Sequence, residues 1–405
     1  MSNITQQKIA KEQKYSAHNY HPLPVVLKEG LGVFVWDIEG KKYFDFLSAY
    51  SAVNQGHCHP KIVDAITKQA STLGLTSRAF HSDSFVEFSR YVTSYFGFDK
   101  VLPMNTGAEA VETAIKIARK WGYEKKGIPK NKAKIIVCGD NFHGRTITII
   151  SASTDPDSRG NFGPYTPGIE SIDYNSLDAL RLAVKDFNVA AFMVEPIQGE
   201  AGVFVPDDGY LSGAKEICTE ANVLFIADEV QTGIGRTGRL LACDHENVKP
   251  DILVLGKAIS GGVYPVSCVL ANNSVMEVIT PGTHGSTYGG NPIACEVATA
   301  ALEVIKDEEL SEKAQKLGEY FRSELKKIDS EMITNVRGKG LLNAVVIKPK
   351  NGKEAWDVCL KMSENGLLAK PTHGDIIRFA PPLIITKRQM QESVSIIKKS
   401  IRFFD

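Results

Sequence analysis

Cysteine is sparse and without pattern: seven residues in 405, an odd number, and no Cys-x-x-Cys. That usage excludes a disulfide scaffold and reads as reduced thiols. Charge of one sign is also missing. Lys+Arg 47 balances Asp+Glu 47, so no net field draws the chain to nucleic acid or an anionic membrane. No apolar run approaches the roughly 20 residues that cross a bilayer. The amino-terminal stretch from Met1 to Gln7 is polar and lacks the apolar core of a secretory signal, and the residues after it bring Glu12 but no arginine, unlike a mitochondrial presequence. The expectation is a cytoplasmic protein. There is no internal repeat or low-complexity tract. His57-Cys58-His59 sets three soft ligands in a row, but neighbours on an extended chain point to opposite faces and no second cluster accompanies them, so no metal site is expected.

The composition, 43% hydrophobic and 23% charged, is that of an ordinary globular protein, and the length suggests two or more domains. Residues 1–50 hold short alternating pieces, Val33-Phe34-Val35-Trp36 and Lys42-Tyr43-Phe44-Asp45-Phe46, with a hairpin turn at Gly40-Lys41. Helical spacing follows at Ile62, Ala65 and Ile66, and at Ala110, Ala114, Ile117 and Ala118. Strand-like runs then recur near 135–137, 190–194, 223–226, 252–255 and 267–270, with helical stretches between several of them. This is the rhythm of a mostly parallel α/β sheet. After about 305 the chain becomes charge-rich and helical, with a short strand near 341–347 and a last amphipathic helix from Lys387. The expected organisation is a large α/β domain over 51–305 and a smaller α+β domain from 306–405, to which segment 1–50 contributes.

Two runs carry the first chemical signal. Ile226-Ala227-Asp228 and Leu253-Val254-Leu255-Gly256-Lys257 are apolar strands that each end in one charge, as an α/β sheet presents reactive groups at its carboxyl edge. A lysine beside apolar wall loses hydration and becomes a nucleophilic amine. An acid on a neighbouring strand is what a pyridoxal phosphate ring needs to keep its nitrogen protonated. Asn105-Thr106-Gly107-Ala108-Glu109 opens a helix, and its small residues suit either a phosphate or a plain cap built on Thr106. Gly233-Ile234-Gly235-Arg236-Thr237-Gly238 matches the dinucleotide fingerprint letter for letter, yet it lies beyond its strand with no clear helix after it, so a glycine-rich loop beside a cofactor is the better reading. Phe142 can stack on a flat cofactor or fill the core. Arg145 and Arg378 are candidates for bidentate carboxylate recognition.

Gly-Ala-Glu-Ala at 107–110, Phe-His-Gly-Arg at 142–145, Glu-Pro-Ile-Gln-Gly-Glu at 195–200, Asp-Glu-Val-Gln-Thr-Gly at 228–233, Gly-Lys-Ala-Ile-Ser-Gly-Gly at 256–262 and Gly-Ser-Thr-Tyr-Gly-Gly at 285–290 follow one another in order. Together they resemble the class III pyridoxal-phosphate-dependent aminotransferases from about residue 15 to the end. The resemblance implies a PLP-transferase fold of the aspartate aminotransferase type. It implies Lys257 as the residue that links to pyridoxal 5′-phosphate, Asp228 at the ring nitrogen, Gln231 at the ring hydroxyl, Phe142 on the ring face, and Gly107 and Ala108 at the phosphate. Thr287 would reach the phosphate of a partner subunit, making a homodimer the minimal unit. Tyr20 and Tyr50 make the chain most similar to the branch that moves the δ-amino group of ornithine to 2-oxoglutarate, giving glutamate and a semialdehyde that cyclises to pyrroline-5-carboxylate. In that branch Glu200 pairs with Arg378 while ornithine sits on Arg145 and Tyr20, then releases Arg378 to the oxoacid. Acetylornithine and 4-aminobutyrate transamination are the rivals on the same scaffold. A racemase or aminomutase would keep Lys257 without needing an oxoacid, and a non-catalytic descendant should have lost Lys257 or Asp228.

Overall fold

The computed structural model describes residues 3–405; residues 1 and 2, part of the amino-terminal stretch read above for signals, lie outside it. Seven strands form the central sheet, in the order Lys100–Met104, Ser267–Ala271, Ile252–Leu255, Leu224–Asp228, Val189–Val194, Lys134–Cys138, Ile169–Ile172. Only Ser267–Ala271 runs against its neighbours. The five runs read from the sequence are strands here, and Ile252–Leu255 shows why they are uniformly apolar. Ile252 and Val254 face the layer holding helix Gly107–Trp121, while Leu253 and Leu255 face the one holding Pro292–Asp307. A sheet covered on both faces has no polar side.

The two outer strands escaped the pattern. Lys100–Met104 contains Pro103, which cannot donate to a ladder and is tolerated because this strand forms an edge. Ile169–Ile172 lies at the other edge and is only partly buried. Helix Asn3–Tyr15 was also unforeseen, because it is exposed along nearly its whole length and carries no apolar stripe.

Two four-stranded sheets flank the main one. The first joins Leu27–Leu31, Phe34–Asp37 and Lys42–Asp45, the last two forming the expected hairpin around Gly40. Its fourth strand is Leu367–Leu368, which pairs in parallel with Lys42–Asp45. The second runs Ile333–Lys339, Leu342–Ile347, Ile376–Phe379, Lys370–Thr372. Among the described residues no helix is long and apolar enough to cross a membrane.

Candidate active site

Three adjacent parallel strands end in charge at one edge: Val189–Val194 at Glu195, Leu224–Asp228 at Asp228, and Ile252–Leu255 at Lys257 after Gly256. Lys257 takes a left-handed backbone, φ 46°, a conformation that costs a non-glycine residue about 1–2 kcal/mol and concentrates at functional sites. Its amine forms no hydrogen bond or ion pair among the described residues. Burial first, then the nearby Arg378 guanidinium, push its pKa down to about 8, against the upward pull of Glu200, Asp228 and Glu195. An amine of that pKa carries a far larger neutral fraction near physiological pH than an ordinary lysine does.

Asp228 is 4% exposed and accepts from His143 Nδ1 at 2.6 Å and from the Val230 N–H at 3.1 Å. His143 is buried, which disfavours its charge, but the hydrogen bond to Asp228 and the charges of Asp228 and Glu195 override this and raise its pKa. Its Nε2 has no partner among the described residues. Glu195, pushed up to about 7 by burial, accepts the Phe142 N–H at 2.9 Å and so fixes the backbone that carries the Phe142 ring. Sequence reasoning assigned no role to His143 or Glu195. Glu195 ends an apolar strand as Asp228 does, and the same pattern would have found it.

At the start of Gly107–Trp121 both readings of the helix cap hold together. Thr106 Oγ1 accepts the Glu109 N–H and Glu109 returns to the Thr106 N–H, a complete capping box. The box leaves the N–H groups of Gly107 and Ala108 without an acceptor among the described residues, at the positive end of a 15-residue helix. A Cβ on Gly107 would stand 2.9 Å from Val230 Cγ1, so the chain passes too closely there for a side chain.

Arg378, 3% exposed on strand Ile376–Phe379, donates to Glu200 Oε2 at 2.9 Å, to the Gly199 carbonyl at 3.1 Å and to Gln231 Oε1 at 3.3 Å. Burial pushes the Glu200 carboxyl up, yet the charge and hydrogen bond of Arg378 outweigh it and hold Glu200 below its ordinary value. The Tyr50 ring lies 4.9 Å from the guanidinium. Tyr50 belongs to Ser48–Ser51, where all four residues have positive φ. Asp45 Oδ1 holds the entrance of this left-handed turn by accepting the N–H groups of Leu47 and Ser48, each at 2.9 Å.

The structure thus gathers Tyr50, Glu200, Gln231 and Arg378, and sets Lys257 and Asp228 on adjacent strands. It does not join Arg145 to Tyr20 by any hydrogen bond or ring contact among the described residues. Arg145 is exposed and donates to Ser158 Oγ at 3.1 Å, and its guanidinium is 5.5 Å from the Phe142 ring. Tyr20 is 67% exposed and stands 5.9 Å from the Lys370 ammonium. Thr287 is exposed next to Ser286, whose Oγ accepts from Asn105 Nδ2 at 2.9 Å. The loop at 233–238 leads only to the short 3-10 turn Ala242–Glu246, and Arg236 at its centre is wholly buried, so it offers no dinucleotide cradle. His57 and His59 turn to different carboxylates, Asp45 at 2.8 Å and Glu308 at 2.9 Å.

Residues 15–401 match the family model of the class-III aminotransferases. The mitochondrial ornithine aminotransferase of Drosophila melanogaster is 65% identical over 392 residues, covering 97% of this chain and 90% of its own. The crystal structure of the ornithine aminotransferase from Toxoplasma gondii ME49 superposes with a TM-score of 0.97 at 51% identity, covering 98% of this chain and 95% of that one. The acetylornithine aminotransferase from Elizabethkingia anophelis is 59% identical with a TM-score of 0.91, covering 99% of both. These relatives correct one expectation: the cytoplasmic assignment does not stand, since the Drosophila protein is mitochondrial by name. Free cysteines do not distinguish one reducing compartment from another. With the match running through every element that builds the strand-end cluster and the Arg378 pocket, the chain belongs to the class-III aminotransferases, enzymes that work with pyridoxal phosphate.

Proposed function

We infer that the protein transfers the δ-amino group of L-ornithine to 2-oxoglutarate, releasing glutamate and glutamate 5-semialdehyde, which cyclises to pyrroline-5-carboxylate. The residues fit pyridoxal 5′-phosphate. The unpaired N–H groups of Gly107 and Ala108 suit its phosphate, Asp228 suits its ring nitrogen, and the unpartnered Lys257 amine suits its aldehyde. Phe142 would cover one ring face, Gln231 would reach the ring hydroxyl, and Thr287 of a second copy would complete the phosphate site, making a homodimer the working unit. Bound there, the cofactor supplies a carbonyl that captures amines and a protonated ring that draws electrons from the adjacent C–H bond.

This chain's residues do the rest. Lys257, whose lowered pKa gives it a larger neutral fraction than an ordinary lysine, takes the proton from Cδ of ornithine and returns it on the other side of the reacting system. His143 holds Asp228 as an oriented carboxylate. The observation that carries the substrate reading is the Arg378–Glu200 pair at 2.9 Å. While it stands, Arg378 is spent, and the α-carboxylate of ornithine goes to Arg145 with Tyr20, leaving the δ-amine near Lys257. 2-Oxoglutarate brings two carboxylates. It displaces Glu200 from Arg378 with one and takes Arg145 with the other, which sets its keto carbon where Cδ of ornithine had been.

The domain division at residues 50 and 305 is part of the same reading, supported by the parallel pairing of Leu367–Leu368 with Lys42–Asp45. The test is half-reaction absorbance with L-ornithine, N-acetylornithine and 4-aminobutyrate in turn, followed by 2-oxoglutarate. Ornithine should convert the cofactor fastest and 2-oxoglutarate should restore it. Preference for acetylornithine, the reaction for which the Elizabethkingia relative is named, would overturn the substrate assignment. Turnover without an oxoacid would point to a racemase or aminomutase.

A further inference from the structure

Resting on the reading that Glu200 must leave Arg378 in the second half-reaction, we propose that Lys370 is the cation that receives the Glu200 carboxylate. A carboxylate released inside a partly closed pocket without a partner stays costly, so a gate that opens needs somewhere to put its charge. Glu200 has 31% side-chain exposure, so leaving Arg378 does not by itself give its carboxylate full hydration.

Lys370 sits where that partner is required. It lies directly opposite Arg378 in the antiparallel ladder between Lys370–Thr372 and Ile376–Phe379. Directly paired residues project from the same face with Cβ atoms about 5 Å apart. Two cations so placed repel one another, and an acid that alternates between them relieves each in turn. Lys370 is half-buried and makes no hydrogen bond or ion pair among the described residues; its ammonium lies 5.9 Å from the Tyr20 ring. Burial lowers its pKa, Glu200 opposes that fall and Arg378 adds to it, so the three groups already sense one another. The Glu200 backbone is tied to the same strand, because Thr372 Oγ1 donates to the Glu200 carbonyl at 2.9 Å. That tether leaves the side chain to swing while its origin stays fixed. Two other basic side chains near Glu200 are less suited: Lys257 is committed to the cofactor, and His373 is exposed.

Lys370 is therefore a positioning residue that sets how readily Arg378 becomes available to the oxoacid. The test follows both half-reactions of the holoenzyme by stopped-flow absorbance in Lys370→Met, Lys370→Arg, Glu200→Gln and the Glu200→Gln/Lys370→Met double variant. Losing the receiving cation should raise the apparent KM for 2-oxoglutarate about tenfold, the worth of one charge-assisted contact. The rate at saturation should hold, and the ornithine half-reaction should stay within about twofold. Lys370→Arg should recover most of the loss. In the Glu200→Gln background the methionine substitution should add nothing, since no carboxylate is left to receive. Equal slowing of both half-reactions would mark Lys370 as merely structural and overturn the proposal. A penalty that persists without Glu200 would show Lys370 binding the substrate carboxylate itself, which also overturns it. If the wild-type protein left ornithine unconverted, the underlying substrate reading would fall first and separately.

Discussion

Arg236 offers the sharpest test of how this fold is held together. Its side chain is 0% exposed, the largest wholly buried one among the described residues, and no carboxylate pairs with it. Nη1 donates to the carbonyls of Leu341 at 2.9 Å and Pro381 at 2.7 Å, and Nη2 donates to Asn54 Oδ1 at 2.5 Å. The guanidinium thus ties the loop after strand Leu224–Asp228 to three distant parts of the chain, one of them three residues beyond Arg378. Burial pushes its pKa down to about 9, the mark of a charge that is hydrogen-bonded but not neutralised. In Arg236→Met two large effects oppose each other. Three buried acceptors lose a charged donor, at about 1–3 kcal/mol each. The methionine avoids the desolvation of an unpaired cation, worth several kcal/mol. Asn54 is itself wholly buried and its Oδ1 has no other recorded donor, so the orphaned acceptors should prevail, with a net loss of about 2–4 kcal/mol. Arg236→Lys should lose a similar amount, because an ammonium keeps the charge without the planar fork. For a chain of this size about 1 kcal/mol corresponds to roughly 1 °C, so calorimetry with saturating cofactor should show melting roughly 2–5 °C lower in both. A methionine variant as stable as wild type or more so would refute the reasoning and show that the buried charge costs more than its hydrogen bonds return.

Three further outcomes follow from the site. Because the Lys257 pKa is lowered to about 8, the reactive neutral form should grow about tenfold per pH unit up to that value and level off above it. Reductive methylation of the cofactor-free protein, read at Lys257 by peptide mass spectrometry, should show a midpoint near 8, and a midpoint near 10 would contradict the burial argument. Asp228→Asn keeps the shape but removes the charge, and should cost transamination about 2.7 kcal/mol, a hundredfold; near-normal turnover would place the essential acid elsewhere. Ala49→Gly, exposed and at φ 46° in the left-handed turn, should stabilise the protein by about 0.5–1 kcal/mol, because glycine carries no steric penalty there; an unchanged or lower denaturation midpoint would deny that the turn is strained.

The parts of this structure legible in the sequence are those governed by short-range pattern. Interior strands buried on both faces cannot avoid reading as apolar runs, and a charge closing such a run stands out, which is why Lys257 and Asp228 were visible. Edge strands lack the pattern, as Lys100–Met104 with its proline and the half-exposed Ile169–Ile172 show. The long-range partnerships were not readable either. Lys370 faces Arg378 only because one antiparallel register places it there, and a shift by one residue would have brought Pro371 opposite instead. Arg236 looked like a letter in a phosphate-binding motif because sequence cannot reveal that its acceptors come from residues 54, 341 and 381.

The charges of the site answer two demands that differ. For Lys257 to act as the proposed base it must be neutral enough, which burial and cations such as Arg378 nearby promote. In the proposed mechanism Asp228 serves as a carboxylate at the ring nitrogen, a different requirement, and His143 orients it locally through a 2.6 Å hydrogen bond shielded from water. Separate partners therefore let a base and an acid of different requirement stand at the ends of adjacent strands. Glu200 serves a third need. Paired with Arg378, it offsets a guanidinium that would otherwise seize the nearer carboxylate of any amino acid entering the pocket. In the proposed exchange a diamino acid with one carboxylate would leave that pair in place, whereas a dicarboxylate reaching Arg145 as well would gain a second ion pair in return. In this reading discrimination between the two substrates lies in how many carboxylates each brings to the arginines of the pocket.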